Sequence, residues 1–358
     1  MIYLDYQATT PLAPEAREAM LQWLDGTDGG GFGNPHSPHR MGRQARAAIE
    51  VARDQVAALF PPGGSIVFTG SATEAINLAI RGSGAGGTVA VSAIEHAAVL
   101  DTAGAIGPCH RLKVDGKGVC DPDQALPADT RLICVMQVNN EIGTIQPAGR
   151  WHGRAQDAGA LYLCDAVQAY GKLLLADADL ITISAHKFHG PKGVGALWIR
   201  DGVKLTAQMT GGGQEAGIRS GTLSPALVAG MGAAAAVAAQ RMDDDRAHVE
   251  RLWKAARRLM ADWDLNGSEM DRWHGNLNLR REGLDVNRLM NDCREVMFSA
   301  GSACASGSGR TSHVLAAIGL TTREAKNSIR LGFGRYTTMV QIEEAARLLN
   351  EGAEAQGV

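Results

Sequence analysis

Lys187 follows the apolar run Leu180-Ile-Thr-Ile-Ser and precedes a turn-forming stretch, His189-Gly-Pro-Lys-Gly. An amine set directly after a buried-type strand is partly desolvated, and a desolvated lysine can form a Schiff base with a carbonyl compound. Taken alone, such a lysine could equally be a solvated strand end. Asp165 closes the preceding run, Leu161-Tyr-Leu-Cys-Asp, where a carboxylate could keep a pyridine nitrogen protonated or could simply cap a helix. Gly70-Ser-Ala-Thr-Glu reads as strand, tight turn and helix start, a place where backbone N–H groups cradle phosphate. Ser71 and Glu74 also fit an ordinary capping box. His96, after Val89-Ala-Val-Ser, could lay its ring on a flat cofactor or serve as a structural hydrogen-bonding group. Cys304 lies in Ser299-Ala-Gly-Ser-Ala-Cys-Ala-Ser-Gly-Ser-Gly, where small neighbours leave a thiolate room to attack, although a small residue in a turn is the bland reading. The other five cysteines (Cys109, Cys120, Cys134, Cys164, Cys293) form no CxxC pair, and no metal site is expected. His186 and His189 are not read as metal ligands, because Lys187 and the following turn account for that segment.

Six short β-type runs must position these groups: Ser65-Ile-Val-Phe-Thr, Thr88-Val-Ala-Val-Ser, Leu132-Ile-Cys-Val-Met, Leu161-Tyr-Leu-Cys-Asp, Leu180-Ile-Thr-Ile-Ser and Gly195-Ala-Leu-Trp-Ile. Helical or turn-rich stretches separate them, the pattern of a largely parallel α/β sheet. Such sheets bind ligands beyond the carboxyl ends of their strands. The polar residues there are Ser71 to Glu74, Glu95-His96, Asn139 to Glu141, Asp165 to Gln168 and Ser184 to Lys187. The Ala-rich stretch 226–239 reads as a close-packed helix, too short and too weakly apolar to span a bilayer. After about position 240 a charged helical stretch leads into shorter signals, which predicts a second, smaller domain.

The chain of 358 residues is long enough for about two domains. With 45% hydrophobic and 20% charged residues it is a globular sequence. A formal net charge of −3 excludes a protein whose main partner is a polyanion, so no nucleic acid is expected. No signal or membrane segment is visible, and the scattered cysteines suit a reduced, cytoplasmic setting. Gly is the outlier at 44 residues, which predicts many tight turns and close backbone approaches.

In order and spacing these stretches resemble the cysteine desulfurases of group I, pyridoxal-phosphate enzymes of the class V aminotransferase type. The resemblance covers essentially the whole chain. It runs from Tyr3-Leu-Asp-Tyr-Gln-Ala-Thr-Thr-Pro through Gly33-Asn-Pro-His-Ser, Thr69-Gly-Ser-Ala-Thr-Glu, Val138-Asn-Asn-Glu-Ile-Gly, Asp165-Ala-Val-Gln, Ser184-Ala-His-Lys and Arg219-Ser-Gly-Thr to the Cys304 stretch and Ile329-Arg-Leu-Gly-Phe-Gly-Arg. Gln7 departs from the pattern, standing where many relatives have Ser or Asn. The implied fold is α/β, fold type I of the pyridoxal-phosphate-dependent transferases. Its large domain (15–240) carries a mainly parallel seven-stranded sheet flanked by helices, and its smaller α+β domain (1–14 and 241–358) carries the Cys304 loop.

The implied site follows residue by residue. Lys187 holds pyridoxal 5'-phosphate covalently, Asp165 pairs with the pyridine nitrogen, and Gln168 and Asn140 bond the ring hydroxyl region. His96 stacks on the ring. Ala72, Thr73, Ser184 and His186 hold the phosphate, and Thr222 reaches it from the other subunit of a homodimer. Arg330 clamps the substrate carboxylate with Asn34 near it, and Cys304 receives the sulfur. The implied reaction converts L-cysteine to L-alanine and leaves a persulfide on Cys304. That persulfide would supply an acceptor protein, either an iron–sulfur scaffold or a sulfur carrier, for cluster assembly or tRNA thiolation. Selenocysteine lyase or another class V activity is one alternative, and a catalytically idle sulfur-carrier scaffold is another.

Overall fold

The computed structural model describes residues 1–24, 31–301 and 312–358. The apolar runs form strands because their residues alternate between two cores. Ile66, Phe68, Ile181, Ile183 and Trp198 face one cluster, while Val67, Leu180, Leu197 and Ile199 face the other. A sheet buried on both faces reads as an unbroken apolar run, which is why these strands were visible as runs rather than as alternations.

The N-terminal strand β1 (Ile2–Tyr3) stands apart from the main sheet. The main sheet is built from β2 (Gly64–Thr69), β3 (Thr88–Ser92), β4 (Cys109–Leu112), β5 (Thr130–Cys134), β6 (Leu161–Asp165), β7 (Leu180–Ser184) and β8 (Gly195–Arg200). Its seven strands run in the order β2-β8-β7-β6-β5-β3-β4. β8 runs opposite to the other six strands, which are parallel to one another. The mainly parallel seven-stranded sheet is therefore the one expected. Two details differ from the sequence reading. Strand β4 lies at the sheet edge, where a polar Cys-His-Arg-Leu segment suffices and leaves no apolar signal. Strand β5 starts and stops two residues earlier than the run Leu132 to Met136, because the Met136 N–H donates to Glu95 Oε1 at 2.7 Å.

Helices α1 (Pro14–Leu21), α2 (Arg40–Ala57), α3 (Ala72–Gly82), α4 (Ala97–Ile106), α5 (Ala148–Asp157) and α6 (Pro225–Leu259) are the principal helices up to the last strands. α3 and α4 cover one face of the sheet, whereas α2, α5 and α6 cover the other. α6 packs closely on α1 and α2 because Gly230 and Gly232 carry no Cβ. A Cβ on Gly232 would lie 2.6 Å from that of Ala52, and one on Gly230 2.6 Å from Met20 Cγ. The expected boundary near 240 falls inside this unbroken 35-residue helix. No helix among the described residues is long and apolar enough to cross a membrane.

A second sheet is antiparallel, with β9 (Asp264–Leu265), β10 (Asn276–Arg280), β12 (Ser299–Ala300) and β13 (Ser328–Gly332) in the order β12-β13-β10-β9. β1 pairs in parallel with β11 (Val296–Met297), and Asp5 bridges to Gly332. The first residues of the chain thus lie against the second sheet before Thr10 to Ala13 run along the turn that follows β7.

Candidate active site

A cavity of about 360 Å³ opens beyond the carboxyl ends of the parallel strands. Its walls come from five strand-to-helix or strand-to-turn junctions together with the N-terminal segment and β13. At the first junction, Ser71 caps α3 by accepting the Glu74 N–H at 3.3 Å. Glu74 does not complete a capping box, because its carboxylate takes the Gly70 N–H at 2.7 Å and pairs with Arg219 at 2.6 Å. The first-turn N–H groups of Ala72 and Thr73 therefore stay at the mouth of α3, where the helix dipole favours an anion. Gly195 lets this turn come close: a Cβ there would sit 2.7 Å from the Ser71 carbonyl carbon and 2.9 Å from the Ala72 nitrogen.

His96 caps α4, its Nδ1 accepting the Ala98 N–H at 3.1 Å, and also faces the cavity. The structural reading of this histidine is thus met by the cap, and its ring also stands at the cavity wall. As an acceptor Nδ1 carries no proton, which fits a neutral ring. Burial lowers the His96 pKa from its ordinary value, and Lys187 acts in the same direction against Asp165. Asp165, at the end of β6, accepts the Val167 N–H at 2.9 Å. Burial raises its carboxyl, opposed by that N–H bond and by His96 and Lys187.

Lys187 lies in the 3₁₀ turn directly after β7. Its Nζ donates to the carbonyls of Gln7 at 2.6 Å and Ala8 at 2.7 Å. Ser184 and His186 line the same wall. Burial, then the charge of Lys187, pushes His186 down to about 4. His189 faces elsewhere, its Nδ1 on the Pro11 carbonyl at 2.9 Å and its ring edge-on to Tyr6 and Tyr336. The two histidines do not converge on one point.

Gln168 and Asn140 complete the lining beside Arg330. Arg330 is 1% exposed; it donates to Asp5 Oδ1 at 2.7 Å, Ser299 Oγ at 3.3 Å and the Asn140 carbonyl at 3.2 Å. Its Nε is buried and has no hydrogen-bond partner among the described residues. One donor of the guanidinium fork is thus left unsatisfied by the described residues.

Of the other expected residues, Asn34 is exposed and lies outside the cavity lining, its Oδ1 accepting the His36 N–H at 2.9 Å. Thr222 is exposed and also outside it, although Arg219 of the same motif reaches Glu74 on α3. Cys304 lies outside the described residues. The chain on either side of it is fixed near the cavity: the Gly301 N–H donates to the Ser328 carbonyl at 2.7 Å, and Ser312 Oγ donates to buried Glu141. The five remaining cysteines are unpaired thiols, four of them buried, and burial pushes Cys120 up to about 12. A buried thiol kept protonated is no nucleophile.

Sequence reasoning missed Gln7, Ala8 and Asp5. Two of these act through backbone carbonyls, which residue type does not reveal. The third is an acid whose partner lies 325 positions away. The Tyr3-Leu-Asp-Tyr-Gln motif was the one available signal, because it opened the family pattern.

The family model for class-V aminotransferases matches residues 2–344. Cysteine desulfurase IscS of Shewanella denitrificans is 39% identical, over 99% of this chain and 93% of its own. Among solved structures, a NifS-like protein from Rickettsia africae superposes with a TM-score of 0.90 at 26% identity, covering 99% of both chains. SspA in complex with cysteine superposes at 0.82 with 31% identity, over 94% of this chain and 100% of that one. The chain is thus similar to these proteins over nearly its whole length, and it belongs to the class-V aminotransferase family as an enzyme of its cysteine desulfurase branch.

Proposed function

We propose that this enzyme uses pyridoxal 5'-phosphate to take sulfur from L-cysteine, releasing L-alanine and leaving a persulfide on Cys304. The observation that carries the reading is the convergence of Lys187, Asp165, His96, the open end of α3 and Arg330 on one cavity of about 360 Å³. The donor set fits the cofactor. Ala72, Thr73, Ser184 and His186 would hold its phosphate, with Thr222 of a second copy joining them in a homodimer. Asp165 would accept the ring N–H, His96 would pack on the ring face, and Gln168 and Asn140 would bond its hydroxyl side. When bound, the cofactor takes up electron density released at the substrate Cα.

The chain's own groups do the rest. Arg330 binds the substrate carboxylate as a planar fork. Lys187 holds the cofactor and then carries the proton that leaves Cα. Cys304 as a thiolate bonds to the substrate sulfur while the Cβ–S bond breaks. The Cys304 sulfur gains one sulfur atom, and the carbon skeleton leaves as alanine with a proton at Cβ. The small residues around Cys304 suit a segment that must receive sulfur inside and deliver it outside to an acceptor protein, a scaffold or a carrier. A cytoplasmic setting accords with unpaired cysteines.

Incubation with L-cysteine followed by intact and peptide mass measurement tests this directly. One added sulfur on the Cys304 peptide, absent in Cys304→Ser and in Lys187→Ala, is the expected result. Stoichiometric alanine without modification of Cys304 would refute the persulfide step. A colourless protein that cannot be loaded with pyridoxal phosphate would refute the cofactor.

A further inference from the structure

Lys172 follows the strand-end aspartate in Asp165-Ala-Val-Gln-Ala-Tyr-Gly-Lys. Part of its stem reaches solvent, but its amine is enclosed and borders a small cavity of about 30 Å³ that it shares with Tyr6, Gln7, His189, Asp245 and Arg335. Asp245 is committed elsewhere, to Arg335 at 2.7 Å and Arg241 at 3.4 Å. Lys172 therefore has no ion pair among the described residues to hold its charged form. Burial, and then the like charge of Lys187, push this amine down to about 7. An enclosed cation without a counter-ion is costly, and so costly a residue at the back of an active site calls for a role.

The geometry supplies one. Lys172 Nζ lies 3.2 Å from Gln168 Oε1, and Gln168 Nε2 donates to the Gln7 carbonyl at 3.0 Å. The amide orientation follows from its partners, since an ammonium only donates and a carbonyl only accepts. Lys187 Nζ donates to the same Gln7 carbonyl at 2.6 Å. Three hydrogen bonds thus connect Lys172, through one amide and one carbonyl, to Lys187. With its oxygen held from behind, Gln168 keeps its second Nε2 hydrogen for the cavity it lines.

We propose that Lys172 is a positioning residue for the reaction proposed above: it fixes Gln168 with the N–H edge of its amide toward the cavity, and while it is protonated it disfavours a second charge on Lys187. This rests on the reading of Lys187 and Gln168 as residues that hold the cofactor. The other ionisable groups facing the two lysines are His186, His189, Arg335, Asp245 and Tyr6, with His96 and Asp165 across the main cavity. The charge of Lys172 also lowers His186 and His189, so the neutral variants shift those two histidines upward as well.

Lys172→Met removes donor and charge at similar length, Lys172→Arg keeps both, and Lys172→Gln keeps hydrogen-bonding capacity without charge. Removing an unpaired buried cation does not remove a stabilising pair, so the Met variant is expected to fold, and the Gln variant provides a second neutral form. In cofactor-loaded protein, the pH midpoint of the visible band of the lysine-bound cofactor is expected to rise by about one unit in Lys172→Met and Lys172→Gln, and to stay at the wild-type value in Lys172→Arg. In cofactor-free protein, acetic anhydride labelling of Lys187 against pH, read on its peptide by mass, is expected to shift the same way. A roughly tenfold fall in kcat at unchanged KM is expected for Met, and a smaller fall for Gln. Unmoved midpoints in both neutral variants would overturn the proposal, as would an Arg variant that behaves like Met. A protein that never takes up the cofactor would refute the active-site reading, while the labelling curve would still decide the effect of Lys172 on Lys187.

Discussion

Replacing Arg330 by Lys isolates the planar fork from the charge. The lysine still places a cation against Asp5, so the ion pair now at 2.7 Å is kept in kind. The contact of Arg330 with the Asn140 carbonyl at 3.2 Å is lost, together with the buried Nε that has no partner among the described residues. Losing one charge-assisted hydrogen bond to a substrate carboxylate is worth about 1.5–3 kcal/mol. At 1.4 kcal/mol per decade this lowers kcat/KM by roughly 10- to 150-fold. The carboxylate does not react, so the loss should appear in KM for L-cysteine with kcat changed little. Asp5→Asn provides the opposite arm. It removes the resident carboxylate that competes for the guanidinium, so KM should fall, while the cofactor-loaded but substrate-free enzyme loses about 1–3 kcal/mol because a buried cation is left unpaired. Steady-state alanine release at varied L-cysteine, with urea unfolding of each variant, measures both arms. An Arg330→Lys variant with wild-type KM, or an Asp5→Asn variant whose KM rises as well, would refute the assignment of Arg330 to the substrate carboxylate.

Gly195→Ala should cost about 1–3 kcal/mol of stability, because the new methyl meets backbone atoms of Ser71 and Ala72 that cannot turn aside. It should also weaken pyridoxal phosphate binding, measured by fluorescence quenching, and unchanged affinity would dissociate this turn from the phosphate. Acid sensitivity follows from the buried histidines. His189 is pushed down to about 3 by burial and then Arg335, whereas an unfolded histidine titrates near 6.5. As pH falls through about 6.5 the unfolded chain takes up the proton first, so this stability is full above that pH and is lost progressively toward pH 3. The urea midpoint of His189→Asn, a residue that tolerates the positive φ of 71° at this position, should therefore fall less between pH 7 and 5 than that of the wild type. Parallel decline of the two proteins would count against the buried-neutral histidine.

The cavity was readable because the physics of parallel sheets is local and directional. Every parallel strand delivers the residues after it to one edge, so Ser71, His96, Asn140, Asp165 and Ser184 to Lys187 could be collected without knowing the strand order. Apolar runs marked six of the seven strands for the same reason: both faces are covered. What stayed hidden acts through backbone or across large sequence distances. The Gln7 and Ala8 carbonyls have no residue-type signature, and the edge strand β4 has no apolar one. The 240 boundary was drawn at a change in composition, but α6 changes from Ala-rich to charged along one unbroken helix as its packing partners change from α1 and α2 to the C-terminal helix Met339–Glu354.

These hidden contacts share one element, the first eight residues. Asp5 neutralises Arg330 on β13 and bridges to Gly332 of the same strand, and two and three residues later the carbonyls of Gln7 and Ala8 receive Lys187. One short segment therefore ties Arg330 of the second sheet to Lys187 of the first. A change that loosens it should act on both ends together. If Arg330 takes the substrate carboxylate in place of Asp5, the change falls on the same short segment whose carbonyls accept from Lys187. The Asp5→Asn variant meets this coupling as well as the KM argument. If the segment transmits the event, its loss should separate the L-cysteine dependence of the visible spectrum from that of turnover, two curves that coincide in a site where binding and release are one step.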